Sequence, residues 1–528
     1  MEQLTSDFWR SKGKFNLVED STERSVWLSG LVSYEDEKTD VSEFVDRFLA
    51  GTLNFNRVIG WFRIVIFTKK DSIWYFFGDN SNSQHFFYDE KTGVFCDSLL
   101  GLKEKMSSEL EPNYEAITNM MAAGYSIGKE TIVSGILRTD KTCYYSFDGT
   151  KITEKSKGLQ DFIDLKHELD VVSVLRPIEG QTKDKKIAAV CTGGTDSRAI
   201  MSGLRYLKAE PKYVITGHDD NPDLKVVYKI ADKLGEPLKL IHLEDKEDGW
   251  LEKGFNFTDG EYDPVLSYRH YLKAQWEIEN SIEFEFGGLA GEYYKNVFCQ
   301  PFLWLFKKKD ADFYFNTILD PHVSSLKWMG AKAKEAGNNN KSKLKAVADQ
   351  TNKEKTLLEK GNRVGFDVLS WKSGAITNGY SSVVTKVDPL MDRQLCAYAS
   401  HDNCISHSMH KWQRKQVEKY CKDIAALPTD QGYTCSMNPF RYLRDCFKKL
   451  GFYLDRVFNR FRRKLGLGFK SVEQRFWDKD YETARKTELW QKSLAYCKEK
   501  EIIDPNVAEE TIPLSKTGWI ILVGLLFA

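Results

Sequence analysis

Short apolar segments alternate with polar turns along about the first 160 residues of the chain. The segments are rich in Val, Ile, Phe and Tyr, which favour β-strands, whereas Asp, Asn, Gly and Lys separate them. The pattern predicts strands at 26–28, 59–68, 73–77, 93–97 and 143–147. A helical pattern at 116–123 leads into Gly124-Tyr125. This part of the chain is therefore predicted to be mainly β.

The pattern changes between residues 187 and 243, where apolar runs alternate with helical periodicity. The run 187–191 is followed by a polar, glycine-containing turn and then by a predicted helix. A second strand at 213–215 precedes a helix that ends at Gly235, and a third strand covers 238–243. Strand–helix–strand spacing of this kind predicts a parallel, doubly wound sheet, which binds ligands at the carboxyl ends of its strands.

The turn after the first of these strands has the composition of an anion-binding loop. Its residues are Thr192, Gly193, Gly194, Thr195, Asp196 and Ser197. Two glycines allow a tight turn, and the first amides of the following helix, together with the helix dipole, favour a phosphate. The Asp196 carboxylate can hold Mg²⁺, and two hydroxyl groups can donate hydrogen bonds. The alternative is a purely structural turn in which Asp or Ser caps the helix.

A second glycine-rich turn lies in the stretch 284–292, which is predicted to begin as a strand and to enter the turn. The sequence Phe-Gly-Gly-Leu-Ala-Gly-Glu ends at Glu292 and comes after a predicted helix at 268–278. Alone, this turn indicates only a close approach of the backbone to another group. Because it follows the parallel-sheet pattern, it also predicts a second wall of the same ligand site.

Charge and cysteine usage exclude several classes of protein. Lys plus Arg and Asp plus Glu both number 76, so the chain has no charge bias towards nucleic acid. The ten cysteines form no Cys-x-x-Cys pair, and the polar N-terminus does not resemble a signal peptide. These features predict reduced thiols and a cytoplasmic location. The apolar run 519–528 is shorter than the ~20 residues of a membrane span and predicts a docked terminal element.

Residues 441–470 have a strongly basic, amphipathic pattern. Apolar residues recur there at helical spacing, and ten Lys or Arg stand against Asp445 and Asp455. The favoured interpretation is a surface helix whose apolar face packs on the domain. The alternative is peripheral contact with an anionic membrane or a partner groove.

His401, Cys404, His407 and His410 are spaced by three residues, and all four side chains can bind transition metals. On an α-helix, however, each three-residue step rotates a side chain by about 60° from the last. The four groups would not converge on one ion, so the pattern does not predict a metal site.

These features resemble the asparagine synthetase family. Residues 192–197 are similar to the Ser-Gly-Gly-x-Asp-Ser loop of the ATP pyrophosphatases, with Thr192 in place of the first Ser, and 60–62, 79–88 and 124–136 match pieces of the N-terminal half. The resemblance implies an α/β and β-rich chain of three parts. These are a glutaminase-like αββα sandwich (1–165), a doubly wound parallel-sheet ATP pyrophosphatase domain (166–440) and a basic helical C-terminal extension (441–528).

The resemblance also implies a chemistry that uses ATP and Mg²⁺. A carboxylate attacks the α-phosphate, and an amine converts the resulting acyl-adenylate into an amide and AMP. Pyrophosphate is expected on residues 192–197, with Asp196, Ser197 and Arg198 as catalytic residues. The expected metal ligands are Asp196 and Glu292. The expected adenylate-binding residues are Cys191, Ile215, Thr216, Gly287 and Gly288, and Lys372 and Lys386 are further candidates to stabilise the adenylate.

Three departures limit the resemblance. Residue 2 is Glu2 where a glutaminase of this family has its nucleophilic Cys, Gly291 stands in place of an Asp, and Gln431 stands in place of a Lys. We therefore predict an amide ligase without glutaminase activity, acting on a small-molecule or sugar carboxylate. Its amine would be ammonia, from solution or a separate source, or an amino group of an acceptor. The alternative is a catalytically silent nucleotide-binding or scaffold protein.

Overall fold

The computed structural model of the chain describes residues 9–34, 40–106, 110–162, 168–243, 246–295, 297–298, 309–464 and 472–528. The strands are β1 (Asn16–Asp20), β2 (Arg24–Tyr34), β3 (Val58–Thr68), β4 (Ile73–Gly78), β5 (Phe87–Asp89), β6 (Phe95–Cys96), β7 (Ile136–Arg138), β8 (Cys143–Phe147), β9 (Ile152–Ser156), β10 (Ile187–Val190), β11 (Lys212–Gly217), β12 (Leu238–His242), β13 (Phe284–Phe286) and β14 (Thr385–Val387). The helices are α1 (Val41–Leu49), α2 (Leu99–Lys105), α3 (Tyr114–Ala123), α4 (Val171–Thr182), α5 (Thr195–Tyr206), α6 (Pro222–Leu234), α7 (Trp250–Phe257), α8 (Pro264–Glu279), α9 (Ala311–Tyr314), α10 (Ala331–Asp349), α11 (Leu357–Tyr380), α12 (Arg393–Ser400), α13 (Cys404–Ser408), α14 (Lys411–Tyr420), α15 (Lys422–Ala425), α16 (Pro439–Lys464), α17 (Val472–Ala484), α18 (Glu488–Glu499) and α19 (Thr517–Phe527).

Two antiparallel sheets form the N-terminal part, which confirms its predicted β-rich character. The larger sheet has the order β1-β2-β3-β4-β8-β9, and the smaller has the order β6-β5-β7. The predicted strand segments overlap β2, β3, β4, β6 and β8. The predicted helix at 116–123 lies within α3, which begins after the capping residue Asn113 and ends at the left-handed Gly124 (φ 87°).

Alternation along β3 explains how the larger sheet is covered on both faces. Ile64 and Ile66 pack with Phe44 and other residues of α1 on one face. Val65 points to the opposite face and joins an aromatic core that includes Tyr88 of the smaller sheet. The far face of the smaller sheet packs against α2 and α3. The layers are thus one helix (α1), two sheets and a pair of helices (α2 and α3).

The five-stranded sheet is parallel, as the strand–helix–strand pattern predicts. Its order is β12-β11-β10-β13-β14, and each of its four pairings is parallel. Helices α4 and α5 cover one face, on which Ile187 and Ala189 lie, and α7, α8 and α11 cover the other, on which Ala188 lies. From β10 the chain first adds β11 and β12 on one side, and later β13 and β14 on the other. The switch point between β10 and β13 is where such sheets bind ligands.

The last helix, α19, is docked into the molecule, as the short apolar terminal run predicts. Residues 519–523 are buried and pack in one core with α3, α8 and α18. Gly524 permits close contact, because a Cβ there would overlap Ser493 of α18. None of the helices in the described ranges is long and apolar enough to cross a bilayer.

Asp263 joins the C-terminal segment to the start of α8. Its carboxylate accepts hydrogen bonds from the N–H groups of Val265 (2.9 Å) and Leu266 (3.3 Å), and from the Tyr481 hydroxyl (2.8 Å). The side chain is fully buried, and burial raises its pKa to about 6 despite these donors. The folded protein therefore binds this proton more tightly than the unfolded chain does.

Asp263→Asn is expected to stabilise the protein relative to wild type at neutral pH and to lose this advantage in acid. A carboxyl with a raised pKa lowers stability above that pKa, and the penalty disappears below the unfolded-state value. Between about pH 7 and about pH 4, the difference in unfolding free energy should change by about 2 kcal/mol. Urea unfolding of both proteins, followed by tryptophan fluorescence at several pH values, measures this difference. A pH-independent difference would contradict the assignment to Asp263.

Candidate active site

The loop at residues 192–197 joins β10 to α5 at the carboxyl edge of the parallel sheet. Gly194 is the N-cap residue of α5 and has an extended backbone. The Ser197 hydroxyl donates to the Thr192 carbonyl (3.1 Å) and accepts from the Thr192 N–H (3.2 Å), which folds the loop against the first helical turn. The first amides of a helix have no acceptor within it, so together with the dipole they favour an anion at this end.

The glycine turn after β13 packs directly against this loop. A Cβ on Gly288 would lie 3.0 Å from the backbone nitrogen of Ser197, and a Cβ on Gly291 would overlap the Asp196 carboxyl group. Because β13 pairs in parallel with β10, both turns leave the sheet at its switch point. The structure thus brings together two turns that lie about 90 residues apart in the sequence.

The carboxylate of Asp196 is paired with a lysine that sequence reasoning missed. Lys295 Nζ lies 2.5 Å from Asp196 Oδ2, and Gln413 Nε2 donates to Oδ1 at 3.1 Å. Burial lowers the pKa of Lys295, but the charges of Asp196, Glu292 and Asp430 outweigh burial and leave this pKa above its ordinary value. A permanent ammonium group therefore stands beside the loop.

The donor set fits a magnesium ion that has one protein carboxylate. Mg²⁺ commonly takes one or two carboxylates and completes its coordination with substrate phosphates and water. Asp196 can supply one carboxylate, whereas Gly291 has no side chain to supply a second. In the described part of the chain, no cluster of three His, Cys, Asp or Glu side chains could hold an ion alone. Glu292, the other predicted ligand, is half-buried, and its charge acts on Lys295.

Arg198 lies beneath the loop rather than in the cleft, which corrects its predicted catalytic role. Its side chain is fully buried and donates to the carbonyls of Leu427 (2.8 Å), Pro428 (2.6 Å) and Gly193 (3.3 Å). A guanidinium group used in this way fixes two backbone segments and cannot reach a substrate. Lys372 lines a separate cavity with residues such as Tyr125, Arg138 and Glu261, so it does not join the loop either.

The segment 428–433 lies over the loop and contains the position where the resemblance implies a lysine. The N–H of Asp430 donates to the Gly193 carbonyl at 3.4 Å. Gln431 is exposed, and the adjacent Gly432 carbonyl accepts from Lys448 of α16 at 2.9 Å. A positive charge therefore reaches this segment from α16 rather than from residue 431.

His410 contacts the loop from the opposite side of this segment. Its Nδ1 lies 3.1 Å from Thr195 Oγ1 and 3.0 Å from the Tyr433 hydroxyl, and its Nε2 lies 2.7 Å from Lys449 Nζ. Burial, followed by the nearby positive charges, holds the pKa of His410 well below its usual value, so the ring is neutral. Nε2 then accepts from the lysine, and Nδ1–H donates towards the loop. His407 bonds instead to a backbone carbonyl (2.8 Å).

The predicted adenylate-binding residues lie at the carboxyl ends of β10, β11 and β13. The side chains of Cys191 and Ile215 are buried, so only their backbone groups are available to a ligand at this edge. Thr216 is half-buried near the end of β11. A Cβ on Gly287 would overlap the Asp388 carboxylate, so the glycine allows the strand end to pass this group.

A buried cluster of charges supports the glycine turn from below. Glu285 of β13 accepts from Lys386 of β14 and lies 2.5 Å from Lys273 Nζ. Lys386 Nζ lies 3.9 Å from Asp388 Oδ2 and 3.1 Å from the position of a Cβ on Gly287. Lys386 therefore lies under the turn, where its charge compensates Glu285.

Comparisons with known proteins do not assign the chain to a family. No protein-family model matches it, and a search of curated proteins finds no significant match. A functional assignment therefore depends on the residues of the site and their geometry.

Proposed function

We propose that the chain is an ATP-dependent amide ligase of asparagine synthetase type, which forms AMP and pyrophosphate and has no glutaminase activity of its own. The supporting observation is the contact of the second glycine turn with Asp196 and Ser197 at the switch point. A structural βα turn needs only a capping side chain. Here Gly288 and Gly291 allow the second turn to approach Asp196 and the Ser197 amide at the start of α5, the end of the helix that favours a phosphate.

In the proposed reaction, a carboxylate oxygen of the substrate attacks the α-phosphorus of ATP. The bond from that phosphorus to the oxygen bridging the β-phosphate breaks, and pyrophosphate leaves. An amine then attacks the acyl carbon, AMP leaves with the shared oxygen, and the amine loses a proton to give the amide. A Mg²⁺ ion held by Asp196 would reduce the repulsion between the two anions.

The protein's own residues position the reactants and stabilise charge. The amides at the start of α5 bind the leaving pyrophosphate, and the hydroxyl groups of Thr192 and Ser197 keep the loop closed. Lys295 supplies a fixed positive charge near the phosphates. The backbone groups that end β10 and β11 bind the adenylate. The mechanism requires no protein nucleophile, because binding brings the two reacting groups together.

The N-terminal part is proposed to be a glutaminase-like αββα sandwich without the glutaminase reaction. Its layer order fits that fold. Glu2 lies outside the described residues, but the sequence has no thiol there. The first cysteine, Cys96, is buried, and burial raises its pKa to about 12, so it is a poor nucleophile. The amine must therefore be free ammonia, ammonia from a separate source, or an amino group of an acceptor.

The proposed carboxylate partner is a small molecule or a sugar acid, and the balanced charge of the chain does not favour nucleic acid. The nine cysteines in the described ranges form no disulfide, and a cytoplasmic location is proposed on this basis. The second candidate is a silent nucleotide-binding or scaffold protein. The Lys295–Asp196 pair and the absence of a carboxylate at Gly291 favour it.

Release of AMP and pyrophosphate from magnesium-ATP, measured over a panel of carboxylates with ammonium present, tests the proposal. Aspartate and uronic acids are the first members of the panel. We expect equal amounts of AMP and pyrophosphate with one acid class and no release of phosphate. ATP binding without release for any acid would support the silent protein. No ATP binding by calorimetry would contradict the ligase and the silent nucleotide-binding protein, and would leave only the scaffold.

A further inference from the structure

Among the described side chains of helix α16, a row of large apolar residues is exposed to solvent. Phe440, Leu443, Phe447, Leu450 and Leu454 are between 53% and 84% exposed. They follow one another at steps of three or four residues, so they form one continuous stripe along the helix. Large apolar side chains are usually buried, and a stripe of them on a single helix marks an interaction surface.

The opposite face of α16 holds the helix to the molecule through buried polar contacts. The fully buried Asp445 accepts from the N–H (2.8 Å) and hydroxyl (2.7 Å) of Thr434 and pairs with Arg414 at 3.1 Å. One turn later, Lys449 contacts His410. The favoured sequence interpretation, an apolar face packed on the domain, is therefore wrong for this part of the helix. Its polar side faces inwards and its apolar side faces outwards.

The charge of α16 indicates the chemistry of the surface that it meets. Apart from the buried Lys449, its basic residues are Arg441, Arg444, Lys448, Arg456, Arg460, Arg462, Arg463 and Lys464, and its acidic residues are Asp445 and Asp455. Asp445 is already paired with Arg414 and Arg444. A second copy of this helix would bring the same positive charge, which disfavours self-association. Anionic lipid headgroups complement the charge, and the apolar stripe can enter the headgroup and acyl boundary.

We propose that the outer face of α16 docks on an anionic membrane surface, with the helix lying in the interface plane. The inner face of α16 contacts the segment over the loop through Lys448 and contacts His410, which bonds to Thr195 of the loop. A helix is about 10 Å across, so docking places the loop region close to the lipid surface. This inference does not depend on the proposed ligase activity, because it concerns a different face of the molecule.

Co-sedimentation of the full chain with lipid vesicles tests the docking surface. One vesicle set is phosphatidylcholine alone, and the other contains about 30% phosphatidylglycerol. We expect binding to the anionic set, weakened by salt. Phe447→Glu combined with Leu454→Glu should lower the affinity by about 100-fold, because two anchors are lost and two negative charges are added. Ile405→Glu is the matched control, since Ile405 is 68% exposed on α13, outside the stripe.

Several results would overturn the proposal. They are no binding to anionic vesicles, equal binding to both vesicle sets, and an affinity that the double variant leaves unchanged. Analytical ultracentrifugation provides a separate check. A dimer of the wild type that the double variant dissociates would assign the stripe to a second copy of the chain. Unaltered circular dichroism of the double variant shows that lost binding is not lost folding.

Discussion

Asp196→Asn is expected to lower pyrophosphate release from ATP by about 10²–10³-fold, the usual effect of removing one preorganised charged or donor group from an active site. The change preserves the size of the side chain. It removes the charge that pairs with Lys295 and that would bind Mg²⁺. The Lys295 ammonium would then lie next to a neutral amide, and the geometry of the loop would no longer be fixed by an ion pair. Pyrophosphate release at saturating ATP, together with calorimetric ATP affinity, measures the loss.

Asp20→Asn is the matched control for this experiment. Asp20 is an exposed carboxylate at the end of β1 in the N-terminal part, and it pairs with Lys69 at 2.7 Å. Its substitution removes the same charge from the same chain without touching the loop, so activity should remain within about twofold of wild type. Full activity of Asp196→Asn would refute the role proposed for the loop. An equal loss in both variants would indicate a general electrostatic effect.

Glu285→Gln is expected to destabilise the protein by about 3 kcal/mol or more, because it removes the main counter-charge of the buried Lys273 and one of the carboxylates beside the buried Lys386. Glu285 is fully buried between Lys273 and Lys386. The charges of both lysines, acting against burial, hold the pKa of Glu285 well below its ordinary value. Thermal and urea unfolding of the variant and the wild type provide the measurement.

Glu283→Gln is the matched control for Glu285→Gln, and Glu283 lies one residue before β13. Glu283 pairs with Lys185 at 2.9 Å, but both side chains are exposed. Exposed pairs contribute little, so this variant should differ from wild type by no more than about 0.5 kcal/mol. Similar small losses for both variants would show that the buried cluster is not a main source of stability.

The parts of the fold that the sequence predicted are those fixed by local rules. Periodicity and glycine-terminated helices located α3, α6 and four of the five strands of the parallel sheet, all but β14, and Gly235 ends α6 in the left-handed conformation. The two glycine turns could be placed at one edge because the carboxyl ends of parallel strands meet there. The assignment of these parts to a glutaminase sandwich and an ATP pyrophosphatase domain stays a proposal.

The residues that sequence reasoning missed are held by contacts between distant segments. Lys295 reaches Asp196 across 99 positions, and no spacing rule connects them. Lys449 was one of many basic residues in an amphipathic pattern, and only the packing of α16 shows that it contacts His410. The same packing reversed the expected orientation of that helix. A periodic pattern separates the two faces of a helix but does not decide which face is buried. In α16 the polar face is buried, because Asp445 pairs there with the buried Arg414.

In the proposed enzyme, Lys295 would compensate for the carboxylate and the metal ion that Gly291 cannot supply. An aspartate at position 291 with a bound divalent ion would contribute one net positive charge, and the tethered ammonium of Lys295 contributes the same. The phosphates would therefore meet a similar field with one exchangeable ion fewer. A covalently attached cation does not diffuse away with pyrophosphate at the end of each cycle. In the proposed enzyme, part of the positive charge that stabilises the leaving group would then belong to the chain itself.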